Sequence, residues 1–160
     1  MLDNTMLQAL NEQHNIERNN MAVYDMLASS LDVAYWPGSS KWMRSSAYEE
    51  NSHARKIADY IVDRGSIPNF GNVSEVLMIN SADLTVAFQA ALTLEQQNTE
   101  HIKMLFFLAE EQADPQSTQF CMWLLEEQTA AEGELGNYLT MLKRLDANGK
   151  MVFDTDLLKV

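Results

Sequence analysis

Glu50 and His53 stand three residues apart in the segment 47–56 and form the motif Glu-x-x-His. If this segment is helical, both side chains lie on the same face of the helix, one turn apart. A carboxylate and an imidazole in that arrangement can bind one transition-metal ion, and the carboxylate can also bridge to a second ion. The motif alone is weak, because many surface helices carry it with both side chains simply solvated. Its meaning depends on what other helices place beside it.

Length and charge limit the classes of protein that need to be considered. The chain of 160 residues predicts a single domain, 1–160, that is long enough to bury a substantial core. Its formal net charge is −12, from 11 basic and 23 acidic residues. This balance argues against nucleic acid as a partner, because phosphate contacts need a basic face. It is compatible with the attraction of cations.

Cysteine usage and hydropathy indicate the cellular setting. Cys121 is the only cysteine, so the sequence predicts neither an intramolecular disulfide nor a cysteine-based metal cluster. The first residues lack the basic and apolar segments of a signal peptide, and no apolar run is long enough to span a membrane. We therefore expect a cytoplasmic protein without a membrane partner.

Helical periodicity predicts two long helices in the first half of the chain. Their predicted ranges are about 5–31 and 39–65, with a turn at 37–38 between them. Thr5 and Gln8 fit a capping box at the start of the first helix. Each helix carries one apolar stripe with residues at steps of three and four, which is typical of a helix that packs against a core.

The second half repeats this pattern after a long interruption. Residues 66–80 lack helical periodicity and suit a crossover that returns the chain to the other end of a bundle. Two further helices are predicted at about 82–112 and 114–145, the latter ended by 148–149, and a short terminal helix at about 153–159. The prediction is an all-α four-helix bundle with a long crossover between helices two and three.

Each predicted long helix places a polar side chain in the middle of its apolar stripe. These residues are Glu17, Glu50 with His53, Glu95, and Gln128. A carboxylate in a core-facing stripe is costly unless it is paired or bound to metal. The interval from Glu17 to Glu50 equals that from Glu95 to Gln128, so the chain consists of two helix hairpins in the same register. The second hairpin is a reduced copy, since Ala131 stands where a second histidine would complete it.

Carboxylates and imidazole together suit iron, manganese or zinc. Glu50 can bridge two ions, with Glu17 and His53 completing the shell of the first. Glu95 would hold the second ion, with Gln128 a weak ligand at most, so that ion would be held loosely. Paired iron(II) ions can pass two electrons to dioxygen. A bundle whose buried polar layer only fixes the helix register is the alternative.

Tyr24 lies two turns beyond Glu17 on the same predicted helix face. At that distance its hydroxyl can donate a hydrogen bond at the centre, or the ring can give an electron. A core tyrosine with a satisfied hydroxyl is the alternative interpretation.

Three segments resemble the ferritins: Ala-Leu-Thr-Leu-Glu at 91–95, Asp-Pro at 114–115, and Glu-Glu-Gln-Thr-Ala-Ala at 126–131. The resemblance covers nearly the whole chain. It implies a ferritin-like bundle that oxidises iron(II) with dioxygen or peroxide at a di-iron ferroxidase centre. It also implies storage of the iron(III) mineral in a homo-oligomeric cage, a 24-mer.

The same resemblance assigns the ferroxidase ligands. They are Glu17, Glu50, His53, Glu95 and Gln128. Gln128 with Ala131 is similar to the heavy-type subunits of animal ferritins, whereas bacterioferritins have a second Glu-x-x-His there. Glu49 and Glu127 match an accessory iron position of bacterial non-haem ferritins, which Ala130 leaves incomplete. Plain solvated charges are the alternative for Glu49 and Glu127.

Several positions depart from the family pattern. Thr118 and Cys121 align with the acidic pair that lines the three-fold channel of animal ferritins, so iron is expected to reach the centre elsewhere. Ser52 and Arg55 replace glutamates of the mineral face. Asn51 stands where bacterioferritins have a haem-ligating methionine, so we expect no haem.

Two other functions stay open from the sequence. One is a soluble di-iron oxidase or peroxidase of the rubrerythrin type without a cage. The other is a storage shell whose iron oxidation is slow. His14 and His101 have no assigned role, and each is interpreted as a core or surface histidine.

Overall fold

The computed structural model describes residues 1–76 and 83–159. Within these ranges the chain forms five helices. Their bounds are α1 Asn4–Val33, α2 Pro37–Asp63, α3 Leu84–Glu111, α4 Pro115–Leu142 and α5 Ala147–Leu157. The predicted all-α class is confirmed: four long helices form a bundle and a short helix follows at the C-terminal end. Nowhere in the described ranges is a helix long and apolar enough to cross a lipid bilayer.

The bundle consists of two helix pairs joined by the predicted crossover. α1 packs along α2, α3 packs along α4, and α1 also contacts α3. Residues 66–76 contain no helix, as predicted, while 77–80 and the predicted start of α3 at residue 82 lie outside the described ranges.

The described part of the crossover lies along α1. Asn15 Nδ2 donates to the backbone carbonyl of Asn69 at 3.2 Å, and Arg18 Nη1 donates to that of Gly71 at 2.7 Å. Polar side chains of α1 therefore satisfy backbone groups of a segment that has no helical hydrogen bonds of its own.

The predicted capping box of α1 and the predicted start of α2 were wrong. Asp3 is the N-cap of α1 and accepts a hydrogen bond from the Thr5 amide at 2.8 Å, so there is no capping box at Thr5 and Gln8. Gln8 instead donates to Glu12 at 3.0 Å, one turn further along. α2 begins at Pro37 itself and not after a turn at 37–38. Proline suits the first helical position, because its missing N–H would have no partner there.

The carboxylate of Asp154 explains why α2 begins so early. Its Oδ1 accepts from the Ser39 amide at 2.7 Å, and its Oδ2 accepts from the Gly38 amide at 3.1 Å. A buried anion at a helix N-terminus satisfies free N–H groups and complements the helix dipole. A Cβ at Gly38 would lie 1.7 Å from the Asp154 carbonyl oxygen, so this close approach requires glycine.

The C-terminal boundaries also differ from the prediction. α4 ends at Leu142, and 148–149, which were predicted to end it, lie in the first turn of α5. α5 is not confined to about 153–159 but spans Ala147–Leu157. Asp146 starts it by accepting from the Gly149 amide at 2.8 Å.

Two apolar clusters fill the interior, and a polar layer separates them. One cluster contains Leu31, Phe88 and Phe153, and the other contains Leu10 and Ile61. The buried polar side chains of α1 fall between the two clusters along that helix. Burial of each large apolar side chain stabilises the fold by about 1.5–3 kcal/mol. The two clusters therefore hold the helices that carry the polar layer.

Candidate metal centre

All four long helices contribute polar side chains to this layer. Glu17 comes from α1, Glu50 from α2, Glu95 from α3 and Gln128 from α4. Each of the four is at most 4% exposed. His53, one turn after Glu50, reaches the same layer with a side chain that is 14% exposed. The structure thus brings together the five residues that the sequence placed in the middle of the stripes.

Glu17, Glu50 and His53 form the tightest group. Each offers one ligand atom, and these atoms all lie within 4.8 Å of one another. His53 Nδ1 lies 3.9 Å from Glu17 Oε2 and 3.9 Å from Glu50 Oε1. Two metal–ligand bonds of about 2.0–2.2 Å each can span such a separation. One transition-metal ion therefore fits between the three side chains.

The hydrogen bonding of Glu50 is incomplete. Its Oε2 is buried and has no hydrogen-bond partner among the described residues. Burial raises the pKa of Glu50 well above its ordinary value, and repulsion from Glu17 adds to this shift. A buried carboxylate oxygen without a partner destabilises a fold. A cation bound at this oxygen would remove that cost, so the donor set fits a metal ion.

The carboxylate of Glu95 is satisfied differently. Its Oε1 accepts a hydrogen bond from the Tyr24 hydroxyl. Its Oε2 accepts from Gln128 Nε2 at 2.9 Å, and the same amide donates to the Glu95 carbonyl at 3.1 Å. Burial raises the pKa of Glu95, while these two hydrogen bonds act in the opposite direction. A cation that bound Glu95 would therefore bind a carboxylate oxygen that already accepts a hydrogen bond.

Tyr24 is a neutral donor in this site. Burial raises the pKa of its hydroxyl well above the ordinary value, and the neighbouring carboxylates add to the shift, with Glu95 first among them. The hydroxyl of Tyr24 on α1 is thus connected to the centre through the carboxylate of Glu95 on α3.

Two residues that the sequence analysis missed contact Glu17. Gln13 Nε2 donates to Glu17 Oε1 at 2.6 Å, and Asn98 Nδ2 lies 3.3 Å from the same oxygen. Both amides are buried. Gln13 precedes Glu17 by one helical turn, and this spacing alone could have identified it.

A cavity of about 230 Å³ opens beside the centre, between α2 and α4. Glu50 and His53 line it on one side, and the exposed residues Glu49 and Glu127 line it further out. Glu127 Oε2 lies 3.7 Å from His53 Nε2. The small side chain at Ala130 leaves this space open. The accessory pair therefore stands at the mouth of a passage that reaches the buried ligands.

Glu134 adds a third carboxylate to this mouth, which sequence reasoning missed. It follows Glu127 by seven residues, two turns along the same helix face, and that spacing was the available signal. Partial enclosure raises the pKa of Glu49, and repulsion from Glu134 and Glu127 adds to the shift, whereas the His53 charge lowers it. The three carboxylates are thus close enough to influence one another.

Other residues singled out in the sequence do not belong to the ligand group. Cys121 is fully buried in an apolar cluster, and burial raises the pKa of its thiol to about 12. It therefore cannot line a channel. His14 is buried with its ring edge against Phe70, at a centroid distance of 4.8 Å, and His101 is exposed.

Known proteins share both the sequence pattern and the fold. The ferritin-like domain family matches residues 7–145. A bacterial non-heme ferritin of Staphylococcus aureus is 30% identical over 159 residues, which cover 98% of this chain and 95% of that protein. A bacterial non-heme ferritin of Staphylococcus haemolyticus is 29% identical over the same length. An open-pore ferritin from Archaeoglobus fulgidus superposes with a TM-score of 0.94 at 27% identity, covering 98% of both chains. The chain belongs to the ferritin family.

Proposed function

We propose that this chain is an iron-storage ferritin subunit that oxidises iron(II) to iron(III) at a di-iron centre. The observation that carries the proposal is the buried group Glu17, Glu50 and His53, in which Glu50 Oε2 has no partner. Membership of the ferritin family also supports the proposal. A buried polar layer that served only the helix register would satisfy its own carboxylates, and this one leaves an oxygen open.

Each residue has a distinct role in this proposal. Glu17 and His53 bind the first iron(II) ion and Glu50 bridges to the second, at the separation of about 3.5–4 Å that is common in paired-metal sites. Glu95 binds the second ion. Gln128 is a weaker partner, because it can offer only a neutral amide oxygen, while its amide nitrogen donates to Glu95. The second ion is therefore held less tightly than the first.

The reaction balances with two iron ions as substrate. Each iron(II) gives up one electron, and dioxygen takes both electrons with two protons to become hydrogen peroxide. Hydrogen peroxide can be the oxidant in the same way, taking two electrons and two protons to form two water molecules. Tyr24, through its hydrogen bond to Glu95, keeps that carboxylate oriented toward the second ion.

The cavity between α2 and α4 provides a path from this centre. Glu49 and Glu127, with Glu134 beside them, would form a third iron site in which an ion waits during transit. Ala130 offers no carboxylate to this site, but Glu134 at the mouth of the cavity does. The site therefore does not need a carboxylate at position 130. Oxygen ligands of this kind suit iron in either oxidation state.

The likeness to a solved ferritin also bears on assembly. The chain and the Archaeoglobus fulgidus open-pore ferritin match over 98% of both lengths. This supports a homo-oligomeric cage, which we propose to be a 24-mer in the cytoplasm that holds the ferric mineral. We further propose one domain over 1–160, no haem, and no nucleic-acid or membrane partner.

Anaerobic calorimetric titration with iron(II) tests the binding site. We expect about two ions per chain, in two steps of unequal affinity. Glu50→Ala should abolish both steps, whereas Glu126→Ala, an exposed carboxylate on α4 outside the cavity lining, should leave them unchanged. Retention of both steps in Glu50→Ala would contradict the assignment.

Particle mass from size-exclusion chromatography with light scattering tests the cage. A large homo-oligomer is expected. A small particle that still binds two ions would indicate a soluble di-iron oxidase, and a large particle without rapid oxidation would indicate a passive shell.

A further inference from the structure

Two buried amide side chains surround the carboxylate of Glu17. Gln13 on α1 is 2% exposed and Asn98 on α3 is 1% exposed. Gln13 Nε2 donates to Glu17 Oε1 at 2.6 Å and to Asn98 Oδ1 at 2.7 Å. Asn98 Nδ2 lies 3.3 Å from Glu17 Oε1 and 3.4 Å from Glu17 Oε2. The three side chains thus form a closed network in the interior.

The network allows one orientation of the Asn98 amide. Its oxygen accepts from Gln13, so its nitrogen must face the carboxylate of Glu17. The reverse orientation would place an amide oxygen against a carboxylate and two amide nitrogens against each other. Gln13 therefore orients Asn98, and both orient Glu17.

The three buried carboxylates of the centre differ in the hydrogen-bond donors around them. Glu17 receives amide donors from a neighbouring turn and from another helix. Both oxygens of Glu95 have a donor, from Tyr24 and from Gln128. Glu50 Oε2 has no partner. The donors around Glu17 do not include a residue proposed to bind iron, so they can stay in place when a cation binds.

We propose that Gln13 and Asn98 are positioning residues that hold Glu17 in its metal-binding orientation and thereby set the affinity of the first ion. The inference rests on the proposed function, because it assumes that Glu17 binds a cation. Donors fix the rotamer of the carboxylate before binding, so little conformational freedom is lost when the ion arrives.

Titration of the metal-free assembly with Co²⁺ tests this role, because bound Co²⁺ reports its coordination through its visible absorption. The test variants are Asn98→Leu and Gln13→Met, which keep the approximate volume and remove the donors. Asn98→Gln retains an amide donor as a conservative variant. Ser117→Ala removes a buried hydroxyl at the far end of α4 and is the matched control for general destabilisation.

We expect Asn98→Leu and Gln13→Met to lower the affinity for the first Co²⁺ ion by about tenfold or more, as the loss of a group that hydrogen-bonds a ligand does in other metal sites. The visible spectrum of the bound Co²⁺ should also change. Asn98→Gln should recover part of the affinity, and Ser117→Ala should match the wild type. Helical circular dichroism and particle size should stay unchanged in every variant.

Unchanged first-ion affinity and spectrum in both Asn98→Leu and Gln13→Met would overturn the inference while leaving the metal centre intact. Equal weakening by Ser117→Ala would also overturn it, because the effect would then be general destabilisation. If His53→Ala binds Co²⁺ as tightly as the wild type does, the proposed centre itself fails, and the inference fails with it.

Discussion

Replacement of Glu50 by glutamine should stabilise the metal-free protein while it destroys the iron site. The wild-type carboxylate is 4% exposed, lies beside Glu17, and leaves Oε2 without a partner. An amide at this position removes the buried charge and offers a donor to the Glu17 carboxylate. Binding sites commonly retain such unfavourable groups, because function requires what stability does not.

The size of the effect follows from the missing hydrogen bond. A buried polar group without a partner costs about 1–3 kcal/mol. In a chain of this length, each kcal/mol shifts the unfolding midpoint by about 2–4 °C. Glu50→Gln should therefore unfold about 2–12 °C above the wild type in the absence of metal.

The difference in stability between Glu50→Gln and the wild type, called the gap below, should depend on pH with a definite sign. The pKa of Glu50 is raised in the folded protein, so the folded state holds this proton more tightly than the unfolded state. Its contribution is fully present below the ordinary value of 4.5 and is lost as pH rises to the folded pKa. Across that window the wild type loses about 1.4 kcal/mol per pH unit relative to the variant. The gap should be larger at pH 8 than at pH 5.

Thermal scans by circular dichroism, at equal concentration and scan rate on metal-free assemblies, measure this difference. Glu17→Gln is the matched control: its carboxylate already accepts donors from Gln13 and Asn98, so its removal should not stabilise the protein comparably. The reasoning is refuted if Glu50→Gln is no more stable than the wild type at pH 8, or if Glu17→Gln gains as much.

Three further outcomes are expected. Tyr24→Phe removes a buried donor, so it should lose about 1–2 kcal/mol of stability in denaturant titrations and slow the ferric signal; unchanged values would contradict its role. Cys121, with a thiol pKa of about 12, should resist a thiol reagent at pH 8 in the native protein and react fully in guanidinium. The double variant Glu127→Ala/Glu134→Ala should keep the first burst of oxidation but recover slowly before a second iron addition; normal recovery would exclude the transit site.

The buried polar layer could be predicted from the sequence because helical periodicity is a local property. Glu17, Glu50 and Glu95 interrupt apolar stripes, and a carboxylate in such a position indicates either a partner or a metal. The interval from Glu17 to Glu50 equals that from Glu95 to Gln128, so residues on the inner faces of the two helix pairs fall in one layer. The tight group that includes His53 agrees with that reasoning.

Asn98 on α3 was missed because the apolar periodicity of that helix does not single out a polar residue. Leu92 and Phe106 fit the helical spacing but are only partly buried. Ala91, Asn98 and Leu105 are buried on the same helix as Glu95. Bulky residues at the edge of a helix face resemble its centre in a sequence, and only the packing of the neighbouring helices distinguishes them.

The helix ends needed information that the local sequence does not contain. Asp154 accepts from the Gly38 amide across 116 positions of the chain, so nothing near Gly38 identifies it as part of a helix start. Pro-Gly is typical of turns, and here a distant carboxylate favours a helix instead. Long-range contacts of this kind decide boundaries, while periodicity decides the elements themselves.

A working ferroxidase at the buried group should oxidise iron(II) rapidly. Stopped-flow absorbance after mixing the metal-free assembly with about two iron(II) ions per chain and oxygen measures this oxidation. We predict a rapid ferric signal that saturates near this ratio and is lost in His53→Ala, with the helical fold retained. A large assembly without a fast signal, or an equally fast signal in His53→Ala, would contradict the account.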